Sequence, residues 1–324
     1  MPLTPIVLFV YNRPWHTAQV LNALNENIYA DDSILYIYAD GPKVGANNEI
    51  LNNINIVRDI IKSKQWCKEI VIRESNINHG LANSIISGVS DVVSEHGKVI
   101  VLEDDLVTSK YFLKYMNEAL MLYENEDEVI SIMGYLHPVI GSVPETFFLK
   151  GADCWGWATW KRGWDLFERD GLKLLKNLKN KRLCRQFDFD GAYPYVDMLL
   201  DQINKKNDSW AIRWKAAAFI HNKLSLYPGT SLVKNIGHDG SGLHCDITDI
   251  FDVQLSTKSI SIIKIPISQN KNMHKRYIEY YKKLYPLKIK VKSYFSKYVK
   301  VFGLVFLLNI YKSIAMRNNH LRGK

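Results

Sequence analysis

Short apolar segments alternate with helix-like segments in the first hundred residues, and this order limits the possible folds most strongly. Apolar runs predict strands at residues 5–10, 34–39, 69–73 and 99–102. Helical spacing fills the intervals, at about 15–25, 47–64 and 81–94. A β-α-β-α-β-α-β order is typical of a parallel sheet with crossover helices, so we predict an α/β fold.

The fourth predicted strand ends in three consecutive carboxylates, Glu103, Asp104 and Asp105. Open α/β sheets bind ligands at the carboxyl ends of their strands, and carboxylate oxygens suit Mg²⁺ or Mn²⁺. Alone, the triplet is equally consistent with a solvated acidic turn. The other strand ends also carry polar residues, namely Tyr11, Asn12 and Arg13 after the first, Asp40 after the second, and Asn78 and Gly80 after the third. A shared ligand cleft explains this repetition better than an isolated acidic turn does.

With these residues, the segment from about residue 3 to residue 135 resembles a GT-A glycosyltransferase, an α/β fold that binds nucleotide-sugars. The E-D-D triplet is similar to the "DxD" metal motif, in the form found in the N-acetylglucosaminyltransferase I class. The strand-helix layout is also similar to bacterial family 2 enzymes. The resemblance implies a Rossmann-like, mainly parallel mixed sheet, with a nucleotide-sugar and metal half at 1–135 and an acceptor half at 136–268.

The resemblance also implies a role for each matching position. Asp105 would bind Mn²⁺ or Mg²⁺, and an ion that bridges two phosphates neutralises the leaving group. Arginine offers phosphate a planar fork of donors. Tyr11, Asn12 and Arg13 would contact the nucleotide and its phosphates, and Asp40 would contact the base (usually uracil). Asn78 and Gly80 would lie beside the ribose and diphosphate. Glu103 and Asp104 would face the donor ribose and sugar. A surface salt bridge for Arg13 and a turn-forming role for Asp40 before Gly41-Pro42 stay open.

Tryptophan is concentrated in the second half of the chain, where Trp155, Trp157, Trp160 and Trp164 fall within ten residues. Aromatic faces stack on sugar rings, which makes Trp155 and Trp157 candidates for an acceptor site, with Asp153 as a hydrogen-bonding partner of sugar hydroxyls. The last three tryptophans have i, i+3, i+7 spacing, so some of them are expected to pack in the core.

A catalytic base is expected if the transferase inverts the anomeric centre, because the acceptor hydroxyl must lose its proton. In the GT-A class this acid commonly opens a helix downstream of the metal motif. Asp208 precedes a helix predicted at 211–222 and is a good N-cap residue, so we predict Asp208 as the base. A capping aspartate needs no other role, and four other acids stay open as candidates, Asp188, Asp190, Asp197 and Asp201.

Three glycines and two histidines mark residues 235–245 as a tight loop able to approach a ligand closely. The resemblance implies that a histidine here completes the metal shell or touches the diphosphate. We predict His244 for the metal and His238 for the sugar side. A zinc site formed by His238, His244 and Cys245 lacks a standard spacing, and a plain surface turn stays open.

Basic residues are concentrated near the end of the chain. Residues 271–324 contain 14 Lys or Arg and one acid, whereas the remainder has 28 basic and 32 acidic residues. Aromatic residues recur at helical spacing within this basic tail, and its uncharged stretch at 301–311 is shorter than the ~20 residues that span a bilayer. We therefore predict that residues 269–324 associate with a membrane surface. A helix docked on its own domain or an oligomer contact stays open; with no recognised motif, we expect no nucleic-acid partner.

The absence of a recognisable secretory signal and of paired cysteine motifs favours a cytoplasmic protein, peripheral on the inner face of the cell membrane. The combined prediction is a metal-dependent, inverting transferase. It would move a sugar from a UDP-sugar to a glycan or lipid-linked saccharide in bacterial surface polysaccharide synthesis. Two alternatives stay open. One is a sugar nucleotidyltransferase, which usually has a glycine-rich basic loop after its first strand, and the other is a non-catalytic sugar- or membrane-binding protein on the same scaffold.

Overall fold

The computed structural model describes residues 2–241 and 248–285 and confirms the α/β prediction. The main sheet has eight strands in the order β3-β2-β1-β4-β8-β6-β9-β7. These strands are β1 (Ile6–Val10), β2 (Ile34–Ala39), β3 (Glu69–Glu74), β4 (Lys98–Glu103), β6 (Val129–Met133), β7 (Thr146–Lys150), β8 (Trp157–Trp160) and β9 (Leu224–Pro228). Two further strands, β5 (Leu106–Thr108) and β10 (Val233–Asn235), form a separate antiparallel pair.

Helices cover both faces of the sheet. They are α1 (Pro14–Asn25), α2 (Asn48–Lys62), α3 (Leu81–His96), α4 (Phe112–Leu122), α5 (Lys161–Trp164), α6 (Gly171–Asn180), α7 (Cys184–Phe187), α8 (Tyr195–Ile203), α9 (Trp210–Ile220) and α10 (Lys271–Leu284). The sequence predictions for the first three helices and the first four strands are confirmed to within about two residues at each end.

Most strands of the main sheet point the same way. Strands β3, β2, β1 and β4 pair in parallel, and β6 pairs in parallel with β9. Strand β8 runs antiparallel between β4 and β6, and β7 runs antiparallel to β9 at the edge. The carboxyl ends of β1, β2, β3, β4, β6 and β9 therefore lie along one edge of the sheet. We call it the carboxyl edge.

Alternating side chains of the strands build a separate core on each face. On β1, Val7 and Phe9 pack on the face that α3 and α9 cover. Ile6, Leu8 and Val10 pack on the opposite face, which α1, α2 and α4 cover. All five side chains are buried, which is why the strand reads as an uninterrupted apolar run.

The tryptophan-rich segment forms a strand followed by a short helix rather than one helix. Trp157 and Trp160 lie at the two ends of β8, and Trp164 ends α5. All three are buried, so the expectation that some of them pack in the core is confirmed. Their helix-like spacing is produced by a strand that turns directly into a helix, and sequence periodicity does not distinguish that from one continuous helix.

Helix α10 is part of the folded core, although the sequence placed it in a separate tail beginning at residue 269. Met273, Tyr277 and Tyr281 are all buried, and the side chain of Asn270 caps the helix by accepting a hydrogen bond from Met273 N. The hydroxyl of Tyr281 lies 3.3 Å from His137 Nε2. The unit therefore extends past residue 268 to the end of α10. The remaining tail, from residue 286, lies outside the described residues.

No helix within residues 2–241 and 248–285 is both long enough and apolar enough to cross a membrane.

We expect Tyr277→Ala to lower the free energy of unfolding by about 3–5 kcal/mol, because it removes a fully buried aromatic ring from the core. Urea denaturation followed by circular dichroism measures this change. Lys275→Ala, on the exposed side of the same helix, is the matched control and should change stability by less than about 0.5 kcal/mol. Equal effects from the two substitutions would show that α10 does not dock in solution.

Candidate active site

The polar residues that follow the first four strands meet at the carboxyl edge. Strand β1 lies between β2 and β4, with Val10 opposite Ala39 and Phe9 opposite Glu103. The turns that follow these strands are therefore neighbours, as the sequence predicts. They carry Tyr11, Asn12 and Arg13 after β1, Asp40 after β2, Asn78 and Gly80 between β3 and α3, and Glu103, Asp104 and Asp105 at the end of β4.

Arg13 connects the end of β1 to the carboxylates of β4. Its Nη1 lies 3.0 Å from Asp105 Oδ2 and 3.3 Å from Asp104 Oδ1. All three side chains are about 85% buried. The surface salt bridge left open for Arg13 is thus a partly buried ion pair within the site. Arg13 Nε and Nη2 are buried and have no hydrogen-bond partner within residues 2–241 and 248–285, so this part of the chain leaves these donors available for a ligand.

Negative charge exceeds positive charge in this cluster. Burial raises the pKa of Glu103 well above its ordinary range, Asp105 and Asp104 raise it further, and Arg13 opposes them. Burial raises the pKa of Asp104 to about 7, with a further contribution from Asp105. Burial alone would lower the pKa of Arg13, but Asp104 and Asp105 outweigh that effect and raise it. The three carboxyl groups thus share one guanidinium, and burial is the main reason why the pKa values of Glu103 and Asp104 are raised.

Asp40 fastens the loop that follows β3. Its Oδ1 accepts hydrogen bonds from the backbone N–H groups of Gly41 and His79, both at 2.9 Å. Its Oδ2 accepts from Asn78 Nδ2 and from Gly80 N, both at 3.0 Å. Asn78 also donates to Gly41 O at 2.8 Å. These bonds hold the two turns as one unit, and they occupy the acceptor positions of the Asp40 carboxylate.

A glycine-containing loop covers the carboxylates from the second half of the chain. Pairing of β10 with β5 brings it there, and Ile236 N donates to Asp105 O at 2.9 Å. A Cβ on Gly237 would lie 2.1 Å from Asp105 Oδ2 and 2.9 Å from Arg13 Nη2. Only glycine fits in this position without moving the ion pair. The sequence predicted that this loop approaches a ligand closely, which stays a prediction; the approach seen here is to the ion pair of Arg13 and Asp105.

His238 is the histidine of this loop that the structure places beside the carboxylates. Both ring nitrogens are buried and have no hydrogen-bond partner among the described residues. Burial lowers the pKa of the ring, the charge of Asp105 raises it and Arg13 lowers it further, with a net decrease, so the ring is neutral near pH 7. Neutral imidazole nitrogen is a metal ligand and a hydrogen-bonding group. His244 and Cys245 lie outside the described residues, so their predicted roles stay untested.

Within residues 2–241 and 248–285, no three His, Cys, Asp or Glu side chains converge closely enough to hold a metal ion by themselves. The metal assignment therefore stays a prediction. Magnesium commonly binds through one or two carboxylates together with substrate phosphates, and the triplet fits that mode of binding.

The two tryptophans predicted for sugar contact have different environments. Trp155 is partly exposed, and its ring centroid lies 5.5 Å from that of His238. Trp157 is fully buried among Trp164, Trp210 and Trp214. The prediction that Trp157 contacts a sugar is wrong, because β8 turns its side chain into the core.

Asp208 does not cap the helix that follows it. Helix α9 begins at Trp210, and its N-cap is Ser209, whose hydroxyl accepts from Ile212 N at 3.2 Å. The side chain of Asp208 is 67% exposed and lies 3.0 Å from Arg213 Nη2. The capping argument for Asp208 is wrong, and its assignment as the base stays a prediction.

The other acids considered for the base have structural contacts. Asp188 accepts from Val196 N at 2.7 Å, Asp190 lies 3.3 Å from His274 Nε2, and Asp201 lies 2.6 Å from Lys206 Nζ. Asp197 is in the first turn of α8, where a carboxylate complements the helix dipole.

Sequence reasoning missed Lys215, a cation on α9 that is only 6% exposed. Its Nζ lies 3.8 Å from Asp153 Oδ2 and 4.5 Å from the ring centroid of Tyr195. The sequence signal for its burial was that Lys215 is the single lysine in the apolar run W-K-A-A-A-F. A helix of this composition has no polar face there on which a lysine would be exposed to solvent.

No protein-family model matches the chain, and no curated protein matches it. Among solved structures it is similar to residues 1–349 of S. aureus TarS at 12% identity and a TM-score of 0.34, over 51% of this chain and 48% of that one. A second TarS structure matches at 14% identity and 0.30, over 46% and 24%. A Desulfovibrio desulfuricans G20 protein, assigned as a nucleotide-diphospho-sugar transferase, matches at 9% identity and 0.32, over 52% and 68%. These are partial likenesses, and the site is interpreted from its own geometry.

We expect Asp104→Asn to gain stability relative to the unsubstituted protein as the pH rises from about 4 to about 8 in the presence of EDTA. The pKa of Asp104 is raised to about 7 in the folded state from its ordinary value of 3.8. The folded chain therefore binds a proton more tightly than the unfolded chain, and stability is lost as the pH rises through this range. Urea denaturation of both proteins across the pH series measures the difference, and a constant difference would contradict the charge imbalance.

Proposed function

We propose that the protein is a metal-dependent GT-A glycosyltransferase that takes its sugar from a UDP-sugar. The observation that carries the proposal is the ion pair between Arg13, which follows β1, and Asp104 and Asp105 at the end of the adjacent β4. The negatively charged triplet would attract a divalent cation, and the positively charged Arg13 beside it would attract a diphosphate.

Asp105 would hold Mn²⁺ or Mg²⁺, and His238 would contact the ion or the diphosphate. The unbalanced negative charge of the triplet favours a cation there. When bound, the ion would neutralise charge on the departing nucleoside diphosphate. Arg13 would direct its unpartnered donors to the phosphates.

Tyr11 and Asn12 would complete the nucleotide site with the loop that contains Asn78 and Gly80. We propose that Asp40 acts mainly by holding this loop in place, because its carboxylate already accepts four hydrogen bonds from the chain. Recognition of uracil would then rely on the fastened loop.

The acceptor would be a glycan or lipid-linked saccharide, and the reaction a single displacement with inversion. Helix α10 supports a location at a membrane surface, because it leads into the basic tail and exposes four lysines, Lys271, Lys275, Lys282 and Lys283. Anionic lipid attracts such a surface. Synthesis of bacterial surface polysaccharide fits this combination of donor, acceptor and location.

A panel of nucleotide-sugars incubated with the protein and Mn²⁺ tests the proposal through release of nucleoside diphosphate. We expect release from one UDP-sugar and its loss with EDTA or with Asp105→Asn, because the ion would lose its ligand. Asp165→Asn, which alters an exposed carboxylate beside Lys161, is the control and should leave release unchanged. Release without a metal would contradict metal dependence. Metal-dependent UDP binding without release, even with lipid-linked acceptors, would favour the non-catalytic alternative, and release of pyrophosphate from a nucleoside triphosphate would favour the nucleotidyltransferase.

We expect Gly237→Ala to weaken Mn²⁺-dependent UDP binding by at least about tenfold, because the added methyl group displaces the side chain of Asp105. Isothermal titration calorimetry measures the affinity. Gly97→Ala is the control, since Gly97 has a φ of +77° and open space around it at the end of α3. It should lower stability without changing the affinity. Unchanged affinity in Gly237→Ala would contradict the placement of the ion at Asp105.

A further inference from the structure

The reversed strand β8 brings a second polar loop to the carboxyl edge. Val101 of β4 and Met133 of β6 both pair with Trp157, the first residue of β8. Residues 151–156 precede β8, so they emerge beside the triplet at the end of β4. We call them the β8-entry loop.

Ring contacts connect the β8-entry loop to the proposed donor site. Trp155 packs against His238 with ring centroids 5.5 Å apart, and His238 follows Gly237, which abuts Asp105 and Arg13. Burial raises the pKa of the Cys154 thiol, the charges of Asp153, Glu103 and Asp105 raise it further, and Lys215 opposes them. The sheet itself sets the loop beside the triplet, because Val101, two residues before Glu103, pairs with Trp157.

The carboxylate of Asp153 has one oxygen that is engaged and one that is available. Oδ1 accepts from Cys154 N at 3.0 Å. Oδ2 accepts no hydrogen bond from the described part of the chain, and the side chain is 27% exposed. A hydroxyl that reaches the β8-entry loop can therefore donate to Oδ2 without displacing a protein group.

Lys215 holds this carboxylate from the side of the core. Its Nζ donates to Ala152 O at 3.4 Å and lies 3.8 Å from Asp153 Oδ2. A buried cation is costly without a counter-charge, so Lys215 and Asp153 hold each other in place. Lys215 thus positions the Asp153 carboxylate.

Aromatic rings beside the β8-entry loop offer apolar faces for a sugar. Trp155 and Phe251 have centroids 5.3 Å apart, and both remain partly exposed. The charge of Asp153 raises the pKa of Tyr193, after burial, so that partly exposed ring lies within electrostatic range of Asp153. Such rings stack on the apolar faces of sugars.

We propose that Asp153, positioned by Lys215, is the base that activates the acceptor hydroxyl. This inference rests on the proposed transferase function. The acceptor oxygen forms a bond to the anomeric carbon while the bond from that carbon to the phosphate oxygen breaks. The bonding electrons leave with the nucleoside diphosphate, and the hydroxyl proton moves to Asp153 Oδ2.

Asp208, predicted from the sequence, is the competing assignment. It is 67% exposed and pairs with Arg213, whereas Asp153 belongs to the loop that contacts His238. Ion pairing with Arg213 gives Asp208 a structural role at the start of α9. The two assignments predict opposite results for conservative amide substitutions.

The test measures nucleoside diphosphate release from the UDP-sugar cleaved by the unsubstituted protein, with water and then with azide as nucleophile. We expect Asp153→Asn to slow the water reaction by at least about 100-fold while UDP binding is retained. Azide carries no proton to remove, so it should restore cleavage in this variant and yield a glycosyl azide. Asp208→Asn and the surface control Asp165→Asn should react with water at the unsubstituted rate.

Lys215 is tested as a positioning residue by two substitutions. We expect Lys215→Met to slow the water reaction while leaving the azide reaction unchanged, and Lys215→Arg to retain most of the water rate because it keeps the charge. An equal loss of both reactions in Lys215→Met would indicate a packing role and overturn its assignment.

The possible failures are distinguishable. An unchanged water rate in Asp153→Asn, with a loss in Asp208→Asn, would assign the base to Asp208 and overturn the inference. Loss of UDP binding in Asp153→Asn, without azide rescue, would also overturn it, because the substitution would then act on the donor site. If the unsubstituted protein neither binds UDP with Mn²⁺ nor cleaves any nucleotide-sugar, the proposed function itself fails, and the base assignment fails with it.

Discussion

The ion pair between Arg13 and the end of β4 is the interaction on which the rest of the candidate site depends. One guanidinium is shared between Asp104 and Asp105, and both carboxylates are mostly buried. Burying like charges together is unfavourable unless a counter-charge is close, and Arg13 supplies only part of it. In the proposed function, a bound divalent ion would supply the rest of the counter-charge. The glycine loop can approach the pair only because Gly237 has no side chain.

The second half of the chain completes the site from the other side of β4. Strand β8 enters the sheet in reverse, which puts its preceding loop, with Asp153 and Trp155, next to the triplet rather than at the opposite edge. Helix α9 supplies Lys215, and α10 packs Tyr277 and Tyr281 against His137. One sheet edge thus carries a charged half and an aromatic half, which in the proposed function would bind the nucleoside diphosphate and the sugar.

Sequence reasoning was most accurate where local pattern and tertiary packing agree. Strand β1 is buried on both faces, so an apolar run identified it, and Pro14 marked the start of α1. It was least accurate where packing decides the outcome. Trp157 was predicted to contact a sugar, because aromatic residues occur both in cores and in sugar sites, but its side chain is buried. Asp208 was predicted to cap α9, but Ser209 forms the cap. Lys215 was missed, because a buried lysine is defined by neighbours distant in sequence.

The sequence by itself determined the α/β order, the four polar strand ends and the basic character of the chain's end. These features depend on local composition and periodicity. Segments with such patterns form strands and helices because folding buries their apolar side chains. Only the tertiary structure decided which residues meet. The reversed direction of β8, the approach of Gly237 to Asp105, the pairing of Lys215 with Asp153 and the docking of α10 all join segments far apart in the chain. Such contacts depend on sheet register and on the balance of buried charge, which no local pattern encodes.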